Sequence, residues 1–496
     1  MKEICPISGL VLLSMWISSC GLELPNSTDA AGTRTQPAHS LAKPTFMDNV
    51  PDKIFTGESN TTSRFGQEVM LGKDINGDGY GDMFIGAPYY KEIQGRVYIY
   101  YGGPNVSFDA PDLILTGEDD RNYFGHDIEL ADFNNDGHLD MAITALGNNF
   151  FQGRVYIYYG GPDFDPTADK IIDGELGTVG RFGREIAAGD INNDGCAELL
   201  VCADEINSKK GRVYLYYGAP GTDMDTTCDL MFDGENPDDR FGRSLALGKD
   251  IDGDGYGDMI IGSRYYPKGD CDGRAFLYYG AQGTSTDNIS DLIFHHQSPG
   301  ENFATDVDLF DIDNDNLADI IIAARRYDNI RGRVYIYWGT DRRNMDATPD
   351  KYLTGEDDYA LFGGDNVDCG YVDNDEYGDI LVAGKLYPNG KLKGRMYLYY
   401  GNTKALMDTI CDMTFTGEND NDRFGYDVAI GDINGDDFGE ILTGARTFKS
   451  ESFQGRAYLY FGGPSPVNIE AVLEREENST NQKRGFYPIV DIKTGL

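Results

Sequence analysis

The stretch Arg64–Pro88, "RFGQEVMLGKDINGDGYGDMFIGAP", sets an acidic turn, Asp74–Asp82, between two apolar runs. The turn opens like the calcium loop of a helix–loop–helix motif, which takes oxygens from positions 1, 3, 5, 7 and 9, needs Gly at 6 and closes with Glu at 12. Counted from Asp74, position 12 is Ile85, inside the strand-like "DMFIGAP", and neither flank has a helical period. That motif is excluded. What remains is a nine-residue loop in which Asp74, Asn76, Asp78 and Asp82 offer side-chain oxygens, Tyr80 offers its carbonyl and Gly79 makes the turn. A hard cation such as Ca²⁺ is held by several oxygens at ~2.3–2.6 Å, and a tight turn brings alternate side chains inward.

Asp, Asn and Gly also make ordinary solvated turns, so a single copy would not separate the two readings. The pattern returns six times. Asp132, Asn134, Asp136, His138 and Asp140 form the second loop, and Asp190, Asn192, Asp194, Cys196 and Glu198 the third. Asp250, Asp252, Asp254, Tyr256 and Asp258 form the fourth, and Asp311, Asp313, Asp315, Leu317 and Asp319 the fifth. Asp432, Asn434, Asp436, Phe438 and Glu440 form the seventh. In each set the residue at position 7 contributes its carbonyl. The sixth, Tyr371–Asp379, lacks a first ligand and carries Glu376 where left-handed backbone is wanted, a conformation that Asn and Asp tolerate better. Six loops are intact, so up to six calcium ions are expected.

Each loop belongs to a longer unit. A Phe stands before it at 65, 124, 182, 241, 303, 362 and 424, an interval of 58–62 residues. After the loop come a strand like "MFIGAP", a variable segment, a strand like "GRVYIYYGG" and a strand like "DLILTGE". Four short β-rich runs between Gly, Asp and Pro turns describe a four-stranded antiparallel sheet, and seven of them describe an all-β, seven-bladed β-propeller. Strands such as "RVYIYYG" are β-branched or aromatic on both faces, as expected where each sheet is covered on both sides. Helical solenoids and open sandwiches are excluded by the same pattern.

These motifs resemble the FG-GAP repeat of integrin α heads and related bacterial surface proteins. "FG" is intact at Phe65 and Gly66, Phe124 and Gly125, Phe182 and Gly183, Phe241 and Gly242, Phe362 and Gly363, and Phe424 and Gly425, and has become Phe303 and Ala304 in the fifth unit. "GAP" is literal only at Gly86, Ala87 and Pro88. The resemblance implies a seven-bladed propeller with calcium held between strands one and two of its blades. The propeller is placed at residues 51–464, with "DKIFTGE" at Asp52–Glu58 able to supply the missing fourth strand of the last blade. The tail, 465–496, either supplies that strand instead or is a degenerate unit.

Residues 1–20 end in Ile17, Ser18, Ser19 and Cys20 after a short apolar core, like a lipoprotein signal in which Cys20 carries the lipid; an ordinary secretory signal is the alternative. Residues 21–50 are a Ser-, Thr-, Pro- and Ala-rich linker. Both readings place the protein outside the cytoplasm, in the cell envelope or secreted. Six cysteines follow Cys20, with no zinc spacing, and are read either as free thiols or as partners in local disulfides. The formal charge is −41, and six calcium ions would bring it to −29. Extracellular modules hold calcium at roughly 10⁻⁴–10⁻³ M, so the ions are expected to be structural.

Antiparallel connectivity places the acidic loops on one face of the ring and the links between strands two and three on the other. Those links are aromatic and basic. Tyr89, Tyr90, Phe151, Arg264, Tyr265, Tyr266, Arg325, Arg326, Tyr327, Tyr387 and Phe448 are the candidate ligand-binding residues, because Arg and exposed aromatics concentrate binding energy. The alternative is that they pack between blades. The expected function is non-catalytic adhesion or binding of an extracellular protein or polysaccharide, with no nucleic-acid partner and membrane contact only through the anchor. A calcium-dependent polysaccharide-degrading propeller is the competing class. Against it, His39, His126, His138, His295 and His296 form no recurring constellation, and the repeat accounts for the paired carboxylates.

Overall fold

The computed structural model describes residues 47–59, 61–221, 224–449 and 453–464. They form seven four-stranded antiparallel sheets, in chain order within six of them. The first blade is Glu68–Lys73, Asp82–Ala87, Arg96–Tyr100 and Leu113–Thr116. First strands neighbour one another around the axis, so they are innermost. The second strand of every blade is buried at all six positions, while the fourth alternates and ends the sheet at solvent. This burial on both faces is why the second strands read as continuous apolar runs.

Lys53–Thr56 pairs antiparallel with Arg456–Tyr460, Lys53 lying opposite Leu459, and completes the last blade. The ring is thus closed by the segment preceding the first unit. The tail, the linker up to residue 46 and the signal-like segment with Cys20 lie outside the described residues.

The repeated Phe packs edge-on or tilted against an aromatic of its own third strand in all seven blades, from Phe65 on Tyr98 at 5.1 Å to Phe424 on Tyr458 at 5.2 Å. Its backbone ties it to the preceding blade: Phe124 N–H donates to the Gln94 carbonyl at 3.2 Å, beside Gly95, whose φ of +88° and crowding by the Phe124 backbone leave no room for a side chain. The Gly after each Phe is left-handed, and in the fifth blade Ala304 accepts that strain at φ 56°. Ring and backbone together make this Phe the hinge pin between blades. The six cysteines after Cys20 are free thiols, which settles that alternative against local disulfides.

Candidate functional site

In the first loop the Asp74 carboxylate accepts N–H bonds from Gly77 at 2.7 Å and Gly79 at 2.8 Å, Asn76 accepts from Asp78 at 2.8 Å, and Asp78 accepts from Tyr80 at 3.0 Å. The bond from position 6 to position 1 recurs in the other five intact loops at 2.8–2.9 Å. Backbone N–H groups therefore orient each carboxylate before any ion is considered. Position 6 is left-handed in these loops, including Asn316 and Asp437 at φ 68°, whereas Glu376 of the sixth is not. Position 4 is left-handed as well, which explains its restriction to Gly or Asn in all seven copies. In the sixth loop Tyr371 stands half exposed and rests on Phe310 at 5.2 Å.

The carboxylate at position 9 is fully buried in every loop. Asp82 accepts from Ile75 N–H at 3.0 Å and from Gly102 N–H at 2.9 Å, so one side chain ties its own loop to the turn after the third strand. Burial pushes these groups up, to about 7 for Asp82 and Asp140 and about 8 for Glu198, Asp258, Asp319 and Glu440, with the other loop carboxylates adding to the rise and the N–H bonds opposing it. Three carboxylate oxygens lie within 4.8 Å of one another in the third loop (Asp190, Asp194, Glu198), the fourth (Asp250, Asp252, Asp254) and the fifth (Asp311, Asp313, Asp315). Oxygen-only clusters of this kind could hold a hard divalent ion. His138 and Cys196 occupy position 7, where the expected donor is the backbone carbonyl.

The axial channel separates the two faces. On the loop side it opens into a cavity of about 860 Å³ lined by Lys73, Lys249, Glu129, Asp308 and Asp368 among others. On the other side a polar cavity of about 210 Å³ holds Glu68, His126, Asp127, Arg184, Glu185 and Asp427. Asp127 accepts from Ile186 N–H at 2.8 Å and Asp427 from Val69 N–H at 2.6 Å, each reaching the inner strand of the next blade. Burial raises Glu68 and Asp127 well above the usual carboxylate range, and burial next to Arg184 holds His126 well below the ordinary histidine value. These acids stitch the ring together at its centre.

On the face opposite the loops, the candidate residues divide into three groups. Tyr90, Tyr266, Tyr327, Tyr387 and Phe448 occupy one repeat position, each under the guanidinium that begins the third strand: Arg96 at 3.8 Å, Arg274 at 3.7 Å, Arg333 at 3.7 Å, Arg395 at 3.8 Å and Arg456 at 3.5 Å. Arg96 also pairs with Glu58 at 2.6 Å and Arg456 with Glu418 at 2.9 Å, both from the blade before. This set is an inter-blade clasp, the packing role foreseen as the alternative.

Tyr89 and Phe151 belong to a different arrangement. Arg64 stacks on Tyr89 at 3.6 Å, Tyr89 meets Tyr123 at 5.1 Å, Tyr123 meets Phe151 at 5.7 Å, and Arg181 lies over Phe151 at 5.7 Å. The strip crosses the first three blades, and Phe150 stands 86% exposed beside it. Arg64, Tyr123 and Arg181 were not among the sequence candidates. They precede the repeated Phe, a position that is left-handed in every blade and turns its side chain onto this face; the recurring "RFG" was the signal. A second cluster joins Arg264, buried and 5.0 Å from the Tyr265 ring, with Arg240 at 5.7 Å from the same ring. Burial raises the Tyr265 phenol, but Arg264 and Arg325 outweigh it and bring it below the ordinary tyrosine value. Arg325 also donates to Asn302 at 3.5 Å, and Arg326 is exposed.

The model of the FG-GAP repeat matches residues 65–100, 124–158, 182–216, 241–279 and 424–460. The chain is an FG-GAP repeat protein. In this FG-GAP protein the fifth and sixth blades keep the four-stranded sheet, although Ala304 stands for the Gly of "FG" in one and Tyr371 for the first Asp in the other. Its repeats are similar to integrin alpha-5 of Xenopus laevis, 31% identical over 215 residues that make up 40% of this chain and 20% of the relative. Integrin alpha-PS2 of Drosophila melanogaster is 29% identical over 46% of this chain and 17% of its own length. Phosphatidylinositol-glycan-specific phospholipase D of Homo sapiens is 34% identical over 28% of this chain and 18% of its own. The alignments therefore span a fifth or less of these relatives. The solved structure of the Dos1 propeller aligns with a TM-score of 0.43 and 12% identity over 77% of this chain and 75% of that one. No helix among the described residues is long and apolar enough to cross a membrane.

Proposed function

We propose that this FG-GAP protein is a calcium-stabilised, non-catalytic binding or adhesion module that works outside the cytoplasm. The ligand is an extracellular protein or polysaccharide, and the face opposite the acidic loops receives it. The observation that carries this reading is the strip Arg64–Tyr89–Tyr123–Phe151–Arg181, continuous over three blades, with Phe150 exposed at its edge. Aromatic rings supply contact area at low conformational cost and guanidinium groups supply orientation, which suits either ligand class. The similarity to integrin alpha chains supports a ligand-binding role for the propeller.

Calcium belongs to the loops. Its carboxylate and amide donors are the position 1, 3, 5 and 9 side chains, and its charge would hold together oxygens that repel one another without it. Lipidation at Cys20 would tether the module to the envelope. A glycan array and a pull-down from extracellular material, each repeated with Phe151→Ala and Arg181→Ala, test the binding reading. Capture by the native chain and its loss in both variants is the expected result. The similarity to a phospholipase D keeps an enzymatic reading in view; release of sugar or lipid products by the purified chain would replace the proposal.

A further inference from the structure

Among the described residues, the acidic loops other than the sixth are covered by the link between strands three and four of the next blade, as where Gly161 N–H donates to the Ile75 carbonyl at 2.8 Å and Thr340 N–H to the Ile251 carbonyl at 3.0 Å. In two blades that cover carries a cation. Arg342 donates to Asp252 and, at 2.6 Å, to Asp254, the position 3 and position 5 carboxylates of the fourth loop. Lys404 lies 3.4 Å from Asp313 and donates at 2.7 Å to Asp315, the same two positions of the fifth loop. The rest of the surroundings is also shared: Arg342 donates to the Gly280 carbonyl at 3.4 Å and lies over Tyr279 at 4.2 Å, and Lys404 donates to the Gly339 carbonyl at 3.3 Å and lies 5.7 Å from the Trp338 ring.

Composition follows the same division. Both loops carry Asp at position 3, and both Asp side chains are only 2% exposed. In the first, second, third and seventh loops position 3 is Asn, and the residue equivalent to Arg342 is Asp163, Gly221, Gly283 or Asn105, none of them a cation. The sixth loop also has Asp at position 3, Asp373, but no carboxylate at position 1, and residue 465 at the equivalent position lies outside the described residues. A buried fourth carboxylate is costly without a counter-charge, and the cation appears where that carboxylate does. In the fourth loop the other oxygens are already held by backbone: Asp252 accepts from Asp254 N–H at 3.1 Å and Asp254 from Tyr256 N–H at 3.0 Å, which leaves one oxygen of each to Arg342.

We infer that Arg342 and Lys404 are tethered cations that occupy the fourth and fifth loops in competition with a divalent ion. These two loops are latched by the protein itself, and the chain binds calcium chiefly at its Asn-type loops. The inference rests on the reading that the loops take calcium at all, and a comparison between loops keeps the two separate. Hydrogen exchange of the full chain is measured in calcium and in excess EDTA. Chelation is expected to speed exchange at Gly77, Gly79 and Gly195 and to leave Gly253 and Gly255 nearly unchanged. An equal response in all loops overturns the tethered-cation inference alone; no response in any loop overturns both readings.

Calcium titration by calorimetry, with ions counted by native mass spectrometry, supplies the second arm. Arg342→Gln should tighten binding at the fourth loop about three- to tenfold, the effect of removing one competing half-exposed charge. The paired change Asp252→Asn with Arg342→Asn, which copies the residues of the seventh loop, should add one ion without adding net charge. Weaker or unchanged binding in Arg342→Gln, or no added ion in the paired variant with native circular dichroism, overturns the inference.

Discussion

The two faces of the ring are built from the same repeat and hold their side chains in opposite ways. On the loop face, backbone N–H groups fix the carboxylates at positions 1, 5 and 9 of the intact loops, so the geometry is local and repeats almost unchanged. On the opposite face the side chains fix one another, guanidinium on ring within a blade and ring or guanidinium on ring between blades, so the outcome depends in part on which residue the neighbouring blade offers. A local motif tolerates drift elsewhere in the blade. A surface made between blades changes with each substitution, and this is where seven similar units become seven different ones.

Chelation should separate the faces most strongly. If four Asn-type loops are each about tenfold saturated, calcium contributes roughly 1.4 kcal/mol per loop, or about 6 kcal/mol together. Excess EDTA should therefore lower the melting temperature markedly, while hydrogen exchange at Tyr123 and Phe151 changes little below the transition. An unchanged melting curve would remove calcium from the loop face.

Asp82→Ala comes next. It leaves the Ile75 and Gly102 N–H groups without their acceptor and should cost about 2–4 kcal/mol, measured by urea unfolding with calcium present. Phe151→Ala, on the other face, should cost under about 1 kcal/mol and still abolish ligand capture. Equal destabilisation by the two changes would break the contrast.

The smallest effect expected is a pH dependence at the channel. Glu129 faces Lys73 and Asp308, and burial with the Asp308 charge raises it to about 7 despite Lys73. A carboxylate raised in the folded state binds its proton more tightly there than in the unfolded chain. Its contribution is full below the unfolded value of ~4.3 and is lost as pH climbs through about 7. Melting temperatures recorded with EDTA should therefore fall by a few degrees across that window, and Glu129→Gln should flatten the fall. A rise with pH would contradict the assignment.

The repeated Phe, the nine-residue loop and the "GRVYIYYG" strand were legible because each recurs at a fixed place in every unit. The clasp was not. Tyr90, Tyr327 and Phe448 look like exposed hairpin aromatics in the chain and become the undersides of Arg96, Arg333 and Arg456 only when the blade is folded. Arg64 and Arg181 were hidden for the converse reason: they sit inside a motif whose Phe and Gly have packing roles, and only the left-handed φ before the Phe shows that their side chains turn outward. Arg342 and Lys404 stand about ninety residues after the loops that they cover, a distance at which sequence spacing suggests no contact.

The sequence by itself determined the repeat, the number of blades, the strands and the acidic turn of each unit, because periodic burial and turn chemistry act over a few residues. Tertiary structure alone decided that Lys53–Thr56 closes the ring beside Arg456–Tyr460, which aromatics pack and which form the open strip, and which loops carry a cation of their own. Those outcomes are contacts made when a blade folds on itself, when the chain's two ends meet in one sheet, or when neighbouring blades touch, and the linear pattern of one unit does not contain them.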